Sequence, residues 1–244
     1  MLKIKVMKSI KLKREIDSAY DCLPSIGHKF NASLVKKYLL DKSKILDIGC
    51  WSGQLLSALG SAKVDYYGLD VSEASGAIKL AQNRYKNAKF VIGSGIKLPF
   101  RDNFFDIVTI FDVVEHLPVN TEKRCFMEIK RVIKNNGILL LSTPADNIIS
   151  IISDPAYFIS GHRHYSRQNL DNFLKSSGFE VVNSYQIGGF HYIFYYLLQM
   201  FFKHLIRRPL PNAKLIKILE KKAKKSLSVN YRGLLAHYII ARSV

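Results

Sequence analysis

Short apolar runs alternate with helical patterns along this chain from Lys44 onward. The strand candidates are the runs 44–48, 65–69, 89–92, 105–111, 137–142, 179–185 and 235–241, and helical patterns lie near 53–59, 73–83, 121–133 and 168–176. This alternation is typical of βαβ units, in which a helix crosses back over the sheet between two parallel strands. The sequence therefore predicts an α/β fold built on one mostly parallel sheet.

Composition limits the classes of protein that fit this pattern. The chain has 244 residues, of which 48% are hydrophobic, which excludes disorder and suits a single α/β domain. The three cysteines, Cys22, Cys50 and Cys125, are too few and too scattered for a disulfide framework or a zinc site. We therefore expect a protein of the reducing cytoplasm. Since no cluster of metal ligands appears in the sequence, we also expect a metal-independent reaction. Residues 1–13 lack a signal-peptide core, and the apolar run 190–202 would span only about 20 Å as a helix, too short to cross a bilayer.

The positive charge is concentrated at the two ends of the chain. The formal net charge is +18, but residues 1–14 hold six basic groups and no acid, and residues 203–244 hold eleven basic groups against Glu220 alone. The middle of the chain is therefore nearly neutral. This distribution predicts that particular elements dock on an anionic surface.

A glycine turn follows the first predicted strand. Gly49 and Gly53 would let the backbone pass close to a ligand, and Asp70, 21 residues after Gly49 at the end of the second strand, could accept both hydroxyls of a ribose. Asp47 stands immediately before the turn, where its carboxylate would repel a pyrophosphate and attract a cation. A ligand with a ribose, an ammonium and a sulfonium fits better than a dinucleotide, which favours S-adenosylmethionine as cofactor.

Five segments in order resemble the motifs of the class I S-adenosylmethionine-dependent methyltransferases, in particular the small-molecule branch that includes ubiquinone-type O-methyltransferases. The segments are 47–53, 66–72, 92–100, 105–116 and 132–144. The resemblance covers roughly residues 40–185 and the last strand. It implies a seven-stranded Rossmann-like sheet whose last strand is antiparallel.

The resemblance also implies which residues contact the cofactor. They are Asp47, Gly49, Cys50, Gly53, Asp70, Val71, Ser94, Gly95, Phe111 and Asp112. Two positions depart from the family pattern: Trp51 replaces the middle glycine of the first motif, and Ser94 stands where an acidic residue usually follows the adenine-loop glycine. A neutral hydrogen bond is weaker than a charge-assisted one, so we expect modest cofactor affinity.

Histidines are the candidate catalytic groups. The methyl group would lie above the carboxyl ends of the fourth and fifth strands, and a histidine there could take a proton from a hydroxyl or phenol. We predict His116 and His164 as catalytic residues and regard His162 as a further candidate for substrate contact. The alternative for His116 is that Glu115 and His116 merely cap a helix.

The organisation that we predict is a basic helical segment 1–43, a cofactor-binding core 44–187, a helical insertion 188–234 and a final strand 235–244. The insertion would lie over the active site. Its first part is rich in aromatic residues, and its second sets Leu215, Leu219, Ala223 and Leu227 in an apolar stripe among lysines. We expect this insertion to rest on an anionic membrane, on its inner face, and to admit a lipid-like or lipid-linked acceptor. The alternative is an apolar run that packs on the sheet beneath solvated lysines.

Two other functions stay open. The charge would suit an RNA methyltransferase, but no Pro-Pro-aromatic signature follows the fourth strand and no cysteine follows strand four or five, which argues against a nucleic-acid partner. A catalytically inactive relative that binds a membrane or a partner is the second alternative, because of Trp51 and Ser94.

Overall fold

The computed structural model describes residues 24–71, 74–206, 210–211, 213–228 and 233–244. The basic segment 1–14 and Cys22 lie outside the described residues. The strands are β1 (Ser43–Ile48), β2 (Val64–Asp70), β3 (Lys89–Ile92), β4 (Phe105–Phe111), β5 (Ile133–Pro144), β6 (Phe179–Ile187) and β7 (Ala236–Ser243). The helices are α1 (Ile26–Lys36), α2 (Gln54–Leu59), α3 (Ser75–Arg84), α4 (Glu122–Val132), α5 (Ile148–Ser153), α6 (Pro155–Ser160), α7 (Arg167–Ser176), α8 (Phe190–Met200) and α9 (Lys214–Lys225).

The seven strands form one sheet in the order β3-β2-β1-β4-β5-β7-β6. Strands β1 to β5 pair in parallel, and β7 runs antiparallel to both β5 and β6. The predicted fold class, including the antiparallel last strand, is confirmed. The chain leaves β1 toward β2 on one side and later returns through β4 on the other, so a crevice opens at the carboxyl ends of β1 and β4, where ligands bind in open parallel sheets.

Both faces of the sheet are covered, as expected for a mostly parallel sheet whose crossover helices pack on both sides. One face packs on a cluster that contains Phe105, Phe126 and Ile129, and the other on a cluster that contains Leu34 and Ile45. The second cluster includes residues of α1, so this helix packs on the same body that carries the glycine turn.

Strand β5 begins four residues before the predicted start at 137. The predicted turn at 135–137 lies inside the strand as an irregularity, with Asn136 at a positive φ of 62° and a shift of register opposite Phe105 and Ile107. A β-carbon on Gly137 would lie 2.8 Å from the Lys134 carbonyl oxygen. Only glycine therefore fits at this position within the strand.

Helices α5 and α6 were not predicted. Their sequence is apolar on nearly all sides and shows no polar face, but each helix has a capping residue. The Asn147 side chain accepts a hydrogen bond from the backbone N–H of Ser150 (3.0 Å), and Asp154 does the same for Ala156 (3.0 Å). The capping residues, and not an amphipathic pattern, are therefore the sequence feature that marks where these two helices begin.

The apolar stripe of α9 mostly faces the protein. Ala223 and Leu227 are buried, and Leu219 packs against the same core cluster, whereas Leu215 is 76% exposed. The prediction that the whole stripe faces a membrane is wrong, because its last three members fill the space against the body of the domain. None of the helices within the described ranges is both long and apolar enough to cross a membrane.

Candidate functional site

The glycine turn joins β1 to α2 in a left-handed backbone path. Gly49, Trp51 and Gly53 all have positive φ, at 78°, 45° and 81°. A β-carbon on Gly49 would lie 2.2 Å from Cγ2 of Val113, so only glycine fits between the turn and the chain that leaves β4. Trp51 adopts the strained conformation in place of a glycine and stays half-exposed, so the turn tolerates the indole by directing it partly outward.

Asp70 ends β2 beside this turn. One carboxylate oxygen accepts a hydrogen bond from the backbone N–H of Trp51 (2.8 Å), and the other accepts one from Val71 (2.8 Å). Each carboxylate oxygen has a second lone pair that can accept a further hydrogen bond. The side chain can therefore hold the turn and bind ribose hydroxyls at the same time.

A cavity of about 180 Å³ opens against the turn. The predicted residues Asp47, Gly49, Cys50, Phe111 and Asp112 line it, together with Trp51 and Leu55. Gly53 and Asp70 lie in or beside the turn but do not line this cavity, and neither do Val71, Ser94 or Gly95. Ser94 instead accepts a hydrogen bond from the backbone N–H of Ile96 (3.4 Å). The cofactor contacts of all ten residues stay predictions.

Asp47 is a buried carboxylate at the base of this cavity. The hydroxyl of Tyr66 donates to one of its oxygens, and the hydroxyl of Thr109 donates to the other over 2.7 Å. Burial raises the pKa of Asp47 to about 6; the two hydroxyl donors act in the opposite direction, and the charge of Asp70 raises the pKa further. A cation in the cavity would favour the ionised form.

Two residues of α1 also line the cavity, and the sequence did not predict them. His28 is held through Nδ1 by the Ser25 hydroxyl (2.9 Å), and burial lowers its pKa. Asn31 is buried, and its carboxamide oxygen has no hydrogen-bond partner among the residues that the structure describes. An unpaired buried oxygen beside the turn fits a ligand that brings a donor, such as an ammonium group.

Cys50 and Cys125 are both buried. Burial, and after it the charges of Asp47 and Asp70, raise the pKa of the Cys50 thiol, which disfavours the thiolate that a nucleophile would need. The side chain of Cys50 therefore serves packing. Its backbone N–H donates a hydrogen bond to the Leu69 carbonyl (3.2 Å) and so helps to hold the turn.

A second cavity, of about 220 Å³, lies on the other side of Asp112. Its walls include the end of β4, α5, α8, and the ends of β6 and β7, and it is lined by Asp112, Glu115, Pro144, Ser150, Ser153, Asp154, His162, Ile187, Gly188, Tyr192, Ile193, Tyr196, Leu227, Leu235, Ala236 and Tyr238. Asp112 thus lines both cavities. It has a φ of 54° and is fixed to β5 by two hydrogen bonds with Ser142, of 2.9 Å from its backbone N–H and 2.7 Å to its carboxylate.

Glu115 is a buried acid in the wall of the second cavity. The Thr143 hydroxyl donates to it over 3.0 Å. Burial, and next the charge of Asp112, raise its pKa well above the ordinary value. The geometry therefore supplies a carboxyl group that can be held neutral at the cavity wall.

His116 and His162 meet at the same place. Their Nε2 atoms lie 3.1 Å apart, and Nδ1 of His162 lies 2.9 Å from a carboxylate oxygen of Asp154. His162 also lines the second cavity. The sequence missed Asp154, because nothing in the local pattern distinguishes this helix cap from any other.

His164 does not fit the predicted catalytic role. Its side chain is 2% exposed, with Nδ1 3.1 Å from the Ala145 carbonyl oxygen and Nε2 3.1 Å from Asp154. Because both ring nitrogens face acceptors, neither is available to a substrate. His162, two residues earlier in the same loop, is the histidine of this loop that lines the second cavity.

The loop that carries these histidines is firmly anchored. Arg163 pairs with Glu122 and donates to the Leu117 carbonyl, and the Tyr165 hydroxyl donates to Glu122 over 2.8 Å. The loop is therefore fixed to the start of α4. No set of three or more metal-ligating side chains occurs within the described ranges.

The chain matches a family model described as a methyltransferase domain over residues 46–141. It is 26% identical over 181 residues to an uncharacterized protein of Methanocaldococcus jannaschii, covering 62% of this chain and 67% of the relative. It is 30% identical over 149 residues to a probable S-adenosylmethionine-dependent methyltransferase of Mycolicibacterium smegmatis, covering 60% and 55%. A demethylmenaquinone methyltransferase of Renibacterium salmoninarum is 32% identical over 99 residues, with 41% and 40% covered. The chain thus spans only about half the length of the last two relatives.

Solved structures share the fold at low sequence identity. A methyltransferase of Methanosarcina mazei described as S-adenosylmethionine-dependent superposes with a TM-score of 0.60 at 18% identity, covering 86% of this chain and 97% of the other. The cyclase SpnF superposes with a TM-score of 0.63 at 20% identity, covering 88% and 81%. Because these two proteins are named for different activities, the fold by itself does not define the reaction.

Proposed function

We propose that this chain, a member of the class I S-adenosylmethionine-dependent methyltransferases, moves the methyl group of that cofactor to a lipid-like or lipid-linked acceptor. The observation that carries the proposal is the position of Asp112, which lines both the cavity at the glycine turn and the second cavity. A cofactor in the first cavity and an acceptor in the second would meet at this residue.

The first cavity fits the cofactor by the hydrogen-bond acceptors that it offers. Asp47 and Asn31 line it and offer buried oxygens to a cationic group, and Asp70, beside the turn, offers acceptors to a ribose. When bound, the cofactor supplies an electrophilic methyl group on a sulfonium. The role of the protein in the transfer is to align this methyl group with the acceptor. Alignment alone can lower the barrier by roughly 7–11 kcal/mol.

The second cavity suits an apolar acceptor with one polar end. Ile187, Ile193 and Leu227 provide apolar walls, while Glu115 and His162 stand at the end near Asp112. An acceptor with a hydroxyl or phenol at one end and a hydrocarbon portion would match this distribution. Three further relatives that resemble this chain over about half its length are also named demethylmenaquinone methyltransferases, which supports an acceptor of this lipid-like kind.

Helices α5, α6 and α8, which contribute residues to the cavity or flank it, expose large apolar side chains. Ile152 is 70% exposed, Phe158 68% and Ile159 84%, and on α8 Phe190 and Phe194 are exposed as well. The lysines of α9, at 214, 217, 221, 222, 224 and 225, are also exposed, and α8 packs against α9. Exposed apolar groups beside a cationic helix favour an anionic membrane surface as the partner, from which a lipid could enter the cavity.

Transfer of a labelled methyl group tests the proposed reaction. The protein is incubated with methyl-labelled S-adenosylmethionine and with separated lipid, aqueous and RNA extracts. We expect label in the lipid extract, and label in the aqueous extract alone contradicts the lipid-like acceptor. Label in RNA would instead support the RNA methyltransferase. No label anywhere, together with no cofactor binding in calorimetry, would support the inactive scaffold.

Vesicle flotation tests the membrane partner separately. We expect the protein to float with vesicles that contain anionic lipid, and the triple variant I152S/F158S/I159S to lose most of this binding. Leu40→Ser is the control, because Leu40 is 78% exposed but precedes β1, at the amino ends of the parallel strands, whereas α5 and α6 follow the carboxyl end of β5. Equal flotation of the triple variant and the wild type, or no binding to either vesicle type, contradicts the membrane surface.

A further inference from the structure

Asp154 is the shared acceptor of two histidines. Oδ1 of its carboxylate caps α6 by accepting from Ala156, and Oδ2 lies 2.9 Å from Nδ1 of His162 and 3.1 Å from Nε2 of His164. Burial by itself would raise the pKa of this carboxyl, but the hydrogen bonds from the two histidines hold it below its ordinary value. Asp154 is therefore an anion that only accepts hydrogen bonds.

An acceptor at Asp154 determines where the protons of the histidine pair lie. His162 must donate from Nδ1 to the carboxylate, so in its neutral form Nε2 carries the lone pair. That lone pair faces Nε2 of His116 at 3.1 Å, so His116 must donate from Nε2. The lone pair of His116 is then on Nδ1, which accepts no hydrogen bond from the part of the chain that the structure describes.

His116 lines neither cavity, but it lies beside residues that do. It ends the 3₁₀ turn Val114–His116, four residues after Asp112, and its neighbour in that turn, Glu115, lines the second cavity. His116 is exposed on the described surface, whereas His162 is mostly covered. Of the two rings, His116 is the one with a nitrogen that no described group occupies, and it contacts His162, which lines the second cavity.

We propose that His116 is the proton acceptor of the reaction through Nδ1, and that Asp154, acting through His162, is the positioning residue that fixes the required tautomer. The inference rests on the proposed methyl transfer and specifies a hydroxyl or phenol as its acceptor. As the hydroxyl proton binds Nδ1, the freed oxygen electron pair forms the bond to the methyl carbon. The electrons of the broken sulfur–carbon bond remain on sulfur as S-adenosylhomocysteine. The charge that His116 gains is balanced through His162 by Asp154.

The charges around His116 are compatible with this role. Burial lowers the pKa of His116 most, and the charges of His162 and Arg163 lower it further. The charges of Asp154 and Asp70 raise it. Arg163 is itself paired with Glu122, and His164 donates to Asp154. Two further acids, Asp112 and Glu115, line the second cavity. His116 is therefore neutral and able to accept a proton at neutral pH.

Ring-nitrogen NMR on the ¹⁵N-histidine protein tests the tautomers without cofactor or acceptor. At pH 7.5 we expect His116 to carry its proton on Nε2 and His162 on Nδ1. Asp154→Asn keeps the α6 cap, since asparagine is an equally good cap, but removes the anion, and we expect mixed tautomers in both rings. Asp171→Asn is the control, because Asp171 forms a surface ion pair with Arg167 on α7. A proton on Nδ1 of His116 in the wild type, or an unchanged pattern in D154N, overturns the proposal.

Methyl transfer to the active extract gives the second readout. We expect His116→Ala to lose about 100-fold or more of the rate, D154N about tenfold with unchanged cofactor binding, and D171N less than about twofold. We also expect the acidic limb of the pH–rate profile to move in D154N, which a purely structural role would not cause. Wild-type rates in H116A overturn the proposal. The predicted tautomers in a protein that transfers no methyl group would contradict the proposed function but not the histidine assignment.

Discussion

The carboxylate of Asp70 and the backbone N–H of Trp51 are joined by a 2.8 Å hydrogen bond that ties the end of β2 to the glycine turn after β1. Trp51 occupies a left-handed conformation that a non-glycine residue adopts only at a cost, and this charge-assisted bond helps to hold it there. One side chain thus stabilises the turn and presents acceptors to the ribose expected beside it.

Asp70→Ala should weaken binding of S-adenosylmethionine by roughly 1.5–3 kcal/mol, the range for a hydrogen bond to a charged group. The variant loses both the ribose contact and the bond to Trp51. Isothermal titration calorimetry measures the change. Asp65→Ala is the control on the same strand, where an exposed carboxylate makes only a 4.0 Å ion pair with Lys44. Equal affinity in D70A and D65A would place the ribose elsewhere.

Binding of S-adenosylmethionine should strengthen as the pH rises through about 6. The pKa of Asp47 in the free protein is about 6, and a cation binds better to its ionised form, so affinity increases while this carboxyl loses its proton. His28 lines the same cavity, but burial lowers its pKa, so it is neutral at neutral pH. Calorimetry between pH 5 and 8 tests this, and Asp47→Asn should flatten the profile. A flat profile in the wild type would contradict it.

Asp47→Asn should stabilise the folded protein at high pH. The pKa of Asp47 is raised from 3.8 to about 6 in the folded protein. The contribution of the protonated Asp47 to the free energy of unfolding is therefore fully present below about pH 4, and it is lost as the pH rises through about 6. The loss is on the order of 2–3 kcal/mol at pH 8. Denaturant unfolding at pH 4.5 and pH 8 should show that the stability difference between D47N and the wild type grows in favour of D47N as the pH rises. A difference that does not change with pH would show that the carboxyl is not destabilised by burial.

Gly49→Ala should be more damaging than Gly60→Ala. Both glycines have positive φ, 78° and 65°, so both substitutions strain the backbone by about 1–2 kcal/mol. At Gly49 the new methyl group would also lie 2.2 Å from Val113, whereas at Gly60 nothing lies within 4 Å. Thermal unfolding and cofactor binding should show a large loss in G49A and a small loss of stability alone in G60A. Equal effects would mean that the turn can move away from Val113.

The strands could be predicted from sequence because their signal is local. The bounds of β3 and β4 agree with prediction to the residue, since both are rich in β-branched and aromatic residues and lie between polar turns. Helices α5 and α6 could not be found in this way, because a segment that is apolar on all sides has no periodicity to read. The direction of the α9 stripe was wrong for a related reason: periodicity reveals an apolar face but not whether protein or membrane covers it.

The sequence by itself determined the α/β sheet, the glycine turn and the acids that precede and follow it, because each depends on residues that are neighbours along the chain. Only the tertiary structure decided that His28 and Asn31 reach the turn, that Asp112 lines both cavities, and that His162 rather than His164 meets His116. The contact between His116 and His162 alone joins residues 46 positions apart. They depend on how helices and loops pack around the carboxyl ends of the strands, where a shift of two residues along a loop turns one imidazole toward the cavity and buries the other.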